Sequence, residues 1–116
     1  MEQTDFLAQY VFTGLKNVND GFDEATVHYF SESDFEIVLN RAAHFGLSIY
    51  TITSCLEGKL QPVMSHETVS KKATDSSWYK KALKTKKHQH TGMFYSAKYK
   101  VSAKLLAREK ISAAPE

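Results

Sequence analysis

Cys55 is the chain's only cysteine, and His66 follows it closely enough to face it across a hairpin. A thiol needs such a neighbouring base and a lowered pKa to act as a nucleophile. Free cysteines without that setting are ordinarily buried and inert. Glu57-Gly58-Lys59 matches the Glu-x-Lys element of metal-dependent nucleases, with Asp34 as the upstream acid that would help hold magnesium. That chemistry requires clustered carboxylates, which this spacing does not assure, and Gly58 reads as a turn rather than as part of a strand. His88 and His90 flank Gln89 beside a run of lysines. Two imidazoles fall short of the usual three or four ligands, and the adjoining cations oppose a metal ion. His28, His44 and His66 are isolated and read as structural or surface groups. These residues make no catalytic set, and the sequence calls for no metal or cofactor.

Charge is the more informative pattern. The chain carries a net +2, but residues 1–40 hold one lysine against eight carboxylates, a net −7, and residues 41–116 hold a net +9. Asymmetry of this kind bears on partners and association rather than on fold. In the acidic part, Asp20, Asp23, Glu24, Glu32, Asp34 and Glu36 gather around a loop, a short strand and a helix start. In the basic part, twelve cations between residues 68 and 110 face only Asp75 and Glu109. Lys80, Lys84, Lys87, Lys98 and Lys100 would form a stripe that tracks phosphates and releases counterions. Tyr50 and Phe94 on an open sheet would stack single-stranded bases. Against this, nearly all the cations are lysines, which read bases less specifically than arginines do.

The elements that must position these groups follow from periodicity and caps. Phe6, Leu7, Tyr10, Val11, Leu15 and Val18 recur at helical spacing and predict a first helix over residues 5–17, broken at Asn19-Asp20-Gly21. Residues 25–30 are β-rich and read as a strand. Ser33 and Glu36 match a capping box, opening a helix that Gly46 closes. Residues 47–56 and 61–69 read as a hairpin around Glu57-Gly58-Lys59, with Pro62 restricted to a strand start or an edge. Thr74 or Asp75 caps a helix over residues 76–90. Residues 93–101 alternate, with Met93, Tyr95, Ala97, Tyr99 and Val101 on one face. Ser102 caps a last helix ending near residue 110, and residues 111–116 read as a loose tail.

The order predicts one α+β domain over residues 1–116, a small antiparallel sheet packed with helices. Its centre is a ferredoxin-like βαββαβ core with extra N- and C-terminal helices. In that topology residues 61–69 lie centrally, although they are polar and contain Pro62. Two helices cover one sheet face, and the first helix is expected to bury its stripe on the other, against Tyr50, Ile52, Leu56 and Phe94, or to offer it to a second copy or another protein.

The N-terminus is acidic and unlike a signal peptide, and no stretch reaches the roughly 18 apolar residues of a membrane span. Cytoplasmic residence is therefore expected. The function expected is a small non-enzymatic protein-binding or regulatory domain, such as an inhibitor. It would meet another protein or a second copy of itself through the acidic ridge and the apolar surface of the first helix. The alternative is nucleic-acid binding by the basic C-terminal half. Whether opposite charges stay apart after folding discriminates between these readings and a plain solvated surface.

Overall fold

The computed structural model describes residues 1–108. Its elements are α1 (Gln3–Phe6), which continues as a π-helical turn over Leu7–Val11, then α2 (Glu32–His44), β1 (Ser48–Leu56), β2 (Lys59–Leu60), β3 (Met64–Ser65), α3 (Ser76–Gln89), β4 (Phe94–Lys100) and α4 (Ala103–Leu106). The antiparallel four-stranded sheet packs against helices, so the α+β class holds. The expected loose tail, residues 111–116, and the end of the last helix near 110 lie outside the described residues. Among the described residues, no helix is long and apolar enough to cross a membrane.

The ferredoxin-like strand order does not hold. β1 is central, pairing with β4 along one edge and with β2 and β3 along the other. The chemistry explains the choice. Ile49, Ile52, Ser54 and Cys55 bury side chains on both faces of β1, which suits an interior strand. The segment after the hairpin is split around Pro62, and a residue without an N–H is confined to an edge. The hairpin turns on two residues, Glu57 at φ 51° and Gly58 at φ 79°, the paired left-handed geometry that matches strand twist. Tyr50 forms a bulge between the Ile49–Tyr99 and Thr51–Lys98 pairs.

Directly opposed residues share a face. Ile49, Ile52 and Ser54 therefore lie with Tyr99, Ala97 and Tyr95, while Thr51, Thr53 and Cys55 lie with Lys98, Ser96 and Phe94. The helices pack on the first of these faces. Phe35 of α2 stacks on Tyr95 at 5.4 Å, and Trp78 of α3 donates its indole N–H to the Ile49 carbonyl at 3.2 Å. Asp75 caps α3, accepting from the Ser77 amide at 2.9 Å and the Ser77 hydroxyl at 2.6 Å.

Three expected elements change. The capping residue of α2 is Ser31, not Ser33, and its hydroxyl accepts from the Asp34 amide at 3.4 Å. Phe30 is held to Tyr95 by two backbone bonds of 2.8 Å, so the chain is free to turn into the helix at Ser31. The first helix stops at Val11, because the buried guanidinium of Arg41 donates to the carbonyls of Val11 and Thr13 at 3.0 and 2.7 Å. Basic side chains stabilise helix C-termini in this way. The apolar stripe of this helix packs on the end of α2 rather than on the open sheet face, with the Phe6 and Phe45 rings 5.2 Å apart. Finally, the strand expected at 25–30 is reduced to the single Phe30–Tyr95 bridge.

Candidate functional site

The segment between α1 and α2 is a loop tied together by hydrogen bonds. Val18 donates to the Tyr29 carbonyl at 2.8 Å, which brings the loop's ends together. The Asn17 side-chain oxygen accepts from the amides of Asn19 and Tyr29, both at 3.0 Å. The Asn19 side-chain amide donates to the carbonyls of Asp23, Glu24 and Val27 at 3.4, 2.8 and 2.9 Å. Its oxygen accepts from the amides of Gly21 and Asp23. Asparagine suits this task because its short amide both donates to and accepts from nearby backbone. Within residues 25–30 these bonds take up the Val27 carbonyl and both backbone groups of Tyr29.

This loop covers part of the sheet face that the helices leave open. Phe22 stacks over Phe94 at 6.2 Å and meets Tyr29 edge-on at 4.8 Å. The buried Tyr29 donates its hydroxyl to Asp23 at 2.5 Å. Burial and the Asp23 carboxylate together raise its pKa above the ordinary tyrosine value. Cys55 lies beneath the same loop, and its thiol is raised by burial first, with the Asp20 and Asp23 carboxylates adding to the shift. A thiol held protonated is a poor nucleophile. His66 pairs with Tyr50, five residues along β1 from Cys55 and about 16 Å away at strand spacing. The Cys55–His66 pair does not form. Glu57 lies in the hairpin turn and Lys59 just after it, both exposed, and no cluster of three metal-ligating side chains occurs among the described residues.

The six ridge acids divide into two groups. Asp20, Asp23 and Glu24 lie on the hydrogen-bonded loop, while Glu32, Asp34 and Glu36 occupy the first turns of α2. Glu32 accepts from the Gly92 amide at 3.0 Å, and exposed Glu36 meets Lys87 at 3.4 Å. The loop acids are the freer group, with Asp20 and Glu24 both exposed.

The basic residues divide too. Lys80, Lys84 and Lys87 come together on α3 with His88, lining a groove of about 540 Å³ against Glu36, Leu39 and Asn40 of α2. Farther out on α3, Lys80, Lys81, Lys84, Thr85 and His88 line a shallow depression without a carboxylate. Lys98 and Lys100 project from the sheet face opposite the helices. Tyr50 is 39% exposed beside His66 at 5.9 Å, whereas Phe94 lies half-buried beneath Phe22 at the other end of β1. The two rings do not make one stacking platform. No protein-family model, curated protein or solved structure matches this chain.

A second cleft, of about 430 Å³, runs along the outer edge of β4. Leu7, Ala8 and Phe12 form one wall, the loop residues Asp23, Glu24 and Thr26 to Tyr29 form the other, and Ser96 to Tyr99 line the floor, with the walls meeting where the Phe12 and His28 rings lie 5.0 Å apart. The sequence marks Asn19 only as part of a chain break and gives no role to Asn17, Gln3 or Arg41, which also shape this region. The Asn-x-Asn spacing ahead of Gly21 was the available signal, since such residues favour side-chain-bonded turns.

Proposed function

We propose that this chain is a non-catalytic protein-binding domain of regulatory type, with inhibition the role that best suits an acidic docking loop. The supporting observation is the set of hydrogen bonds by which Asn17 and Asn19 order the loop. A loop already ordered loses little conformational entropy on binding, and its carboxylates steer a basic partner toward it. Phe6 and Val11 of the first helix's apolar stripe are buried within the fold, and Leu7 lines the cleft beside β4. A cytoplasmic setting is in keeping with a lone buried thiol. The test is native sizing and pull-down with the wild type and with the Asp20→Asn/Glu24→Gln pair. The wild type is expected to retain a partner or a second copy that the variant loses, with retention falling as salt rises. Recovery of a lone monomer in every condition would remove the proposal.

One observation favours nucleic-acid binding as a second reading. α3 has five lysines and no acid, and its outer depression lacks a carboxylate. This reading rests on Lys80, Lys84 and Lys87, since Lys98 and Lys100 face away from them. It expects single-stranded RNA or DNA to bind at low ionic strength, with affinity falling steeply as salt rises. Changing the three lysines together to alanine would reduce binding and flatten the salt slope. Affinity indifferent to salt removes this reading.

A further inference from the structure

The outer edge of β4 is open between two clamps. At one end Tyr95 exchanges both backbone bonds with Phe30 at 2.8 Å. At the other, Gln3 uses its side chain as a substitute strand, donating to the Tyr99 carbonyl at 3.0 Å and accepting from the Val101 amide at 2.9 Å. Outward-facing backbone groups recur at every second residue of a strand. Ala97 and the Tyr99 amide therefore face the same side as Tyr95. Among the described residues, the Ala97 N–H and C=O and the Tyr99 N–H have no partner on that side. The sequence between the clamps is alternating and of strand type, so the edge is fully formed and lacks only a neighbour. The obvious neighbour, residues 26–29, makes no bond to β4 beyond the Phe30–Tyr95 bridge, and its Val27 carbonyl and Tyr29 amide are bonded to Asn19 and Asn17.

We propose that this edge is a docking rail for an extended segment of a partner polypeptide, which adds a short strand beside Ala97–Tyr99 and points a lysine or arginine at Asp23 and Glu24. The inference rests on the protein-binding reading above and specifies how the partner is held. Unpaired strand edges are templates for another chain, and main-chain bonds with alternating side-chain contacts are the usual form of such recognition. The two walls set the alternation. Side chains on the helix side meet Leu7, Ala8 and Phe12, so they are apolar. A side chain on the loop side meets two carboxylates, so it is cationic. Lys98 stands on that side, directly across from this position, so the two carboxylates are shared with it and a second added cation is disfavoured. The pattern required is apolar–basic–apolar.

The test uses the isotope-labelled full chain and a capped Thr-Val-Lys-Val-Thr peptide, followed by NMR with amide exchange. Ala97 and Tyr99 amides are expected to exchange fast in the free protein and to slow at least about tenfold with saturating peptide, as newly bonded amides do. A peptide N-methylated at the central Val-Lys-Val, which cannot donate strand bonds, is expected not to bind, and a Val-Glu-Val peptide is expected to bind at least about tenfold more weakly. Equal binding of the methylated peptide, or no peptide binding at millimolar concentration, overturns the rail. So does strong protection of both amides in the free chain, which would mean that residues 26–29 already fill the edge. If the Asp20→Asn/Glu24→Gln pair loses a captured partner while the peptide tests fail, the acidic loop binds its partner without strand addition. If no partner is captured but the peptide protects both amides, the rail stands and the wider reading falls.

Discussion

The Asn19 side-chain amide reaches the Val27 carbonyl at 2.9 Å across eight residues. Its oxygen meanwhile holds the Gly21 amide at 3.2 Å. One small residue thus ties both sides of the loop that carries Asp20, Asp23 and Glu24. Asn19→Ala removes several side-chain-to-backbone bonds at once, and the expected loss is about 1–3 kcal/mol, since freed backbone groups are partly rehydrated. Urea midpoints of wild type and variant measure it. A loss below about 0.5 kcal/mol would mean that water replaces the amide without penalty.

Alkaline pH should weaken the fold. Burial pushes Tyr79 and Tyr95 up to about 12, with smaller contributions from the Asp75 and Glu32 carboxylates respectively. Burial also raises Tyr99, and burial with Asp23 raises Tyr29. Between the ordinary tyrosine pKa of about 10 and these higher values, the folded chain keeps protons that the unfolded chain has released. Stability is therefore full below about pH 10 and falls as pH rises through 12. Denaturant midpoints at pH 9 and pH 11 should show the decline, and a flat profile would contradict it.

The hydroxyls of Tyr79, Tyr95 and Tyr99 are buried without a protein partner among the described residues. Replacing Tyr95 by phenylalanine keeps its ring stacked on Phe35 and removes only the unpaired oxygen. Stability at pH 7 should stay within about 1 kcal/mol of wild type or improve. The variant should also show a shallower alkaline decline. A larger loss would show that the hydroxyl has a hydrogen bond in solution.

At the hairpin, Glu57 is a non-glycine residue at φ 51°. Asparagine tolerates that region better. Glu57→Asn should stabilise by about 0.5–1 kcal/mol, measured by thermal or urea unfolding, and should leave partner binding unaltered.

Arg41→Met tests the join between the first helix and α2. The variant keeps much of the side-chain volume but abandons the Val11 and Thr13 carbonyls. A loss of about 2–4 kcal/mol is expected, because bonds from a charged donor are the stronger kind. Amides of residues 3–13 should lose exchange protection first.

Particular residues show where sequence sufficed. Gly46 at φ 66°, the Asp75 cap and the alternation from Met93 to Val101 are local signals that tertiary packing left alone. Pro62 likewise marked an edge. The loop at 17–29 was illegible for the opposite reason. Residues 25–30 have strand composition, but side-chain bonds from Asn17 and Asn19 decide their backbone, and composition does not weigh such bonds. The ridge of acids was visible as a run, yet its division between loop and helix depends on Phe30 being fixed to Tyr95. That contact joins residues distant in sequence, and no window along the chain contains both. The charge layout was half legible. α3 keeps its lysines apart from acids on its outer side, whereas Glu36 meets Lys87, and Lys98 shares a cleft with Asp23 and Glu24.

The place of β1 has a consequence for synthesis. Its longest pairing is with β4, whose residues leave the ribosome some forty positions after β1 is complete. Until then Ile49 and Ile52 lack their neighbour, Phe30 has no Tyr95 to bridge, and Gln3 has no Val101 to hold. A nascent chain ending before residue 94 should consequently remain open to proteases and chaperones, with helices α2 and α3 unable to settle on an incomplete floor.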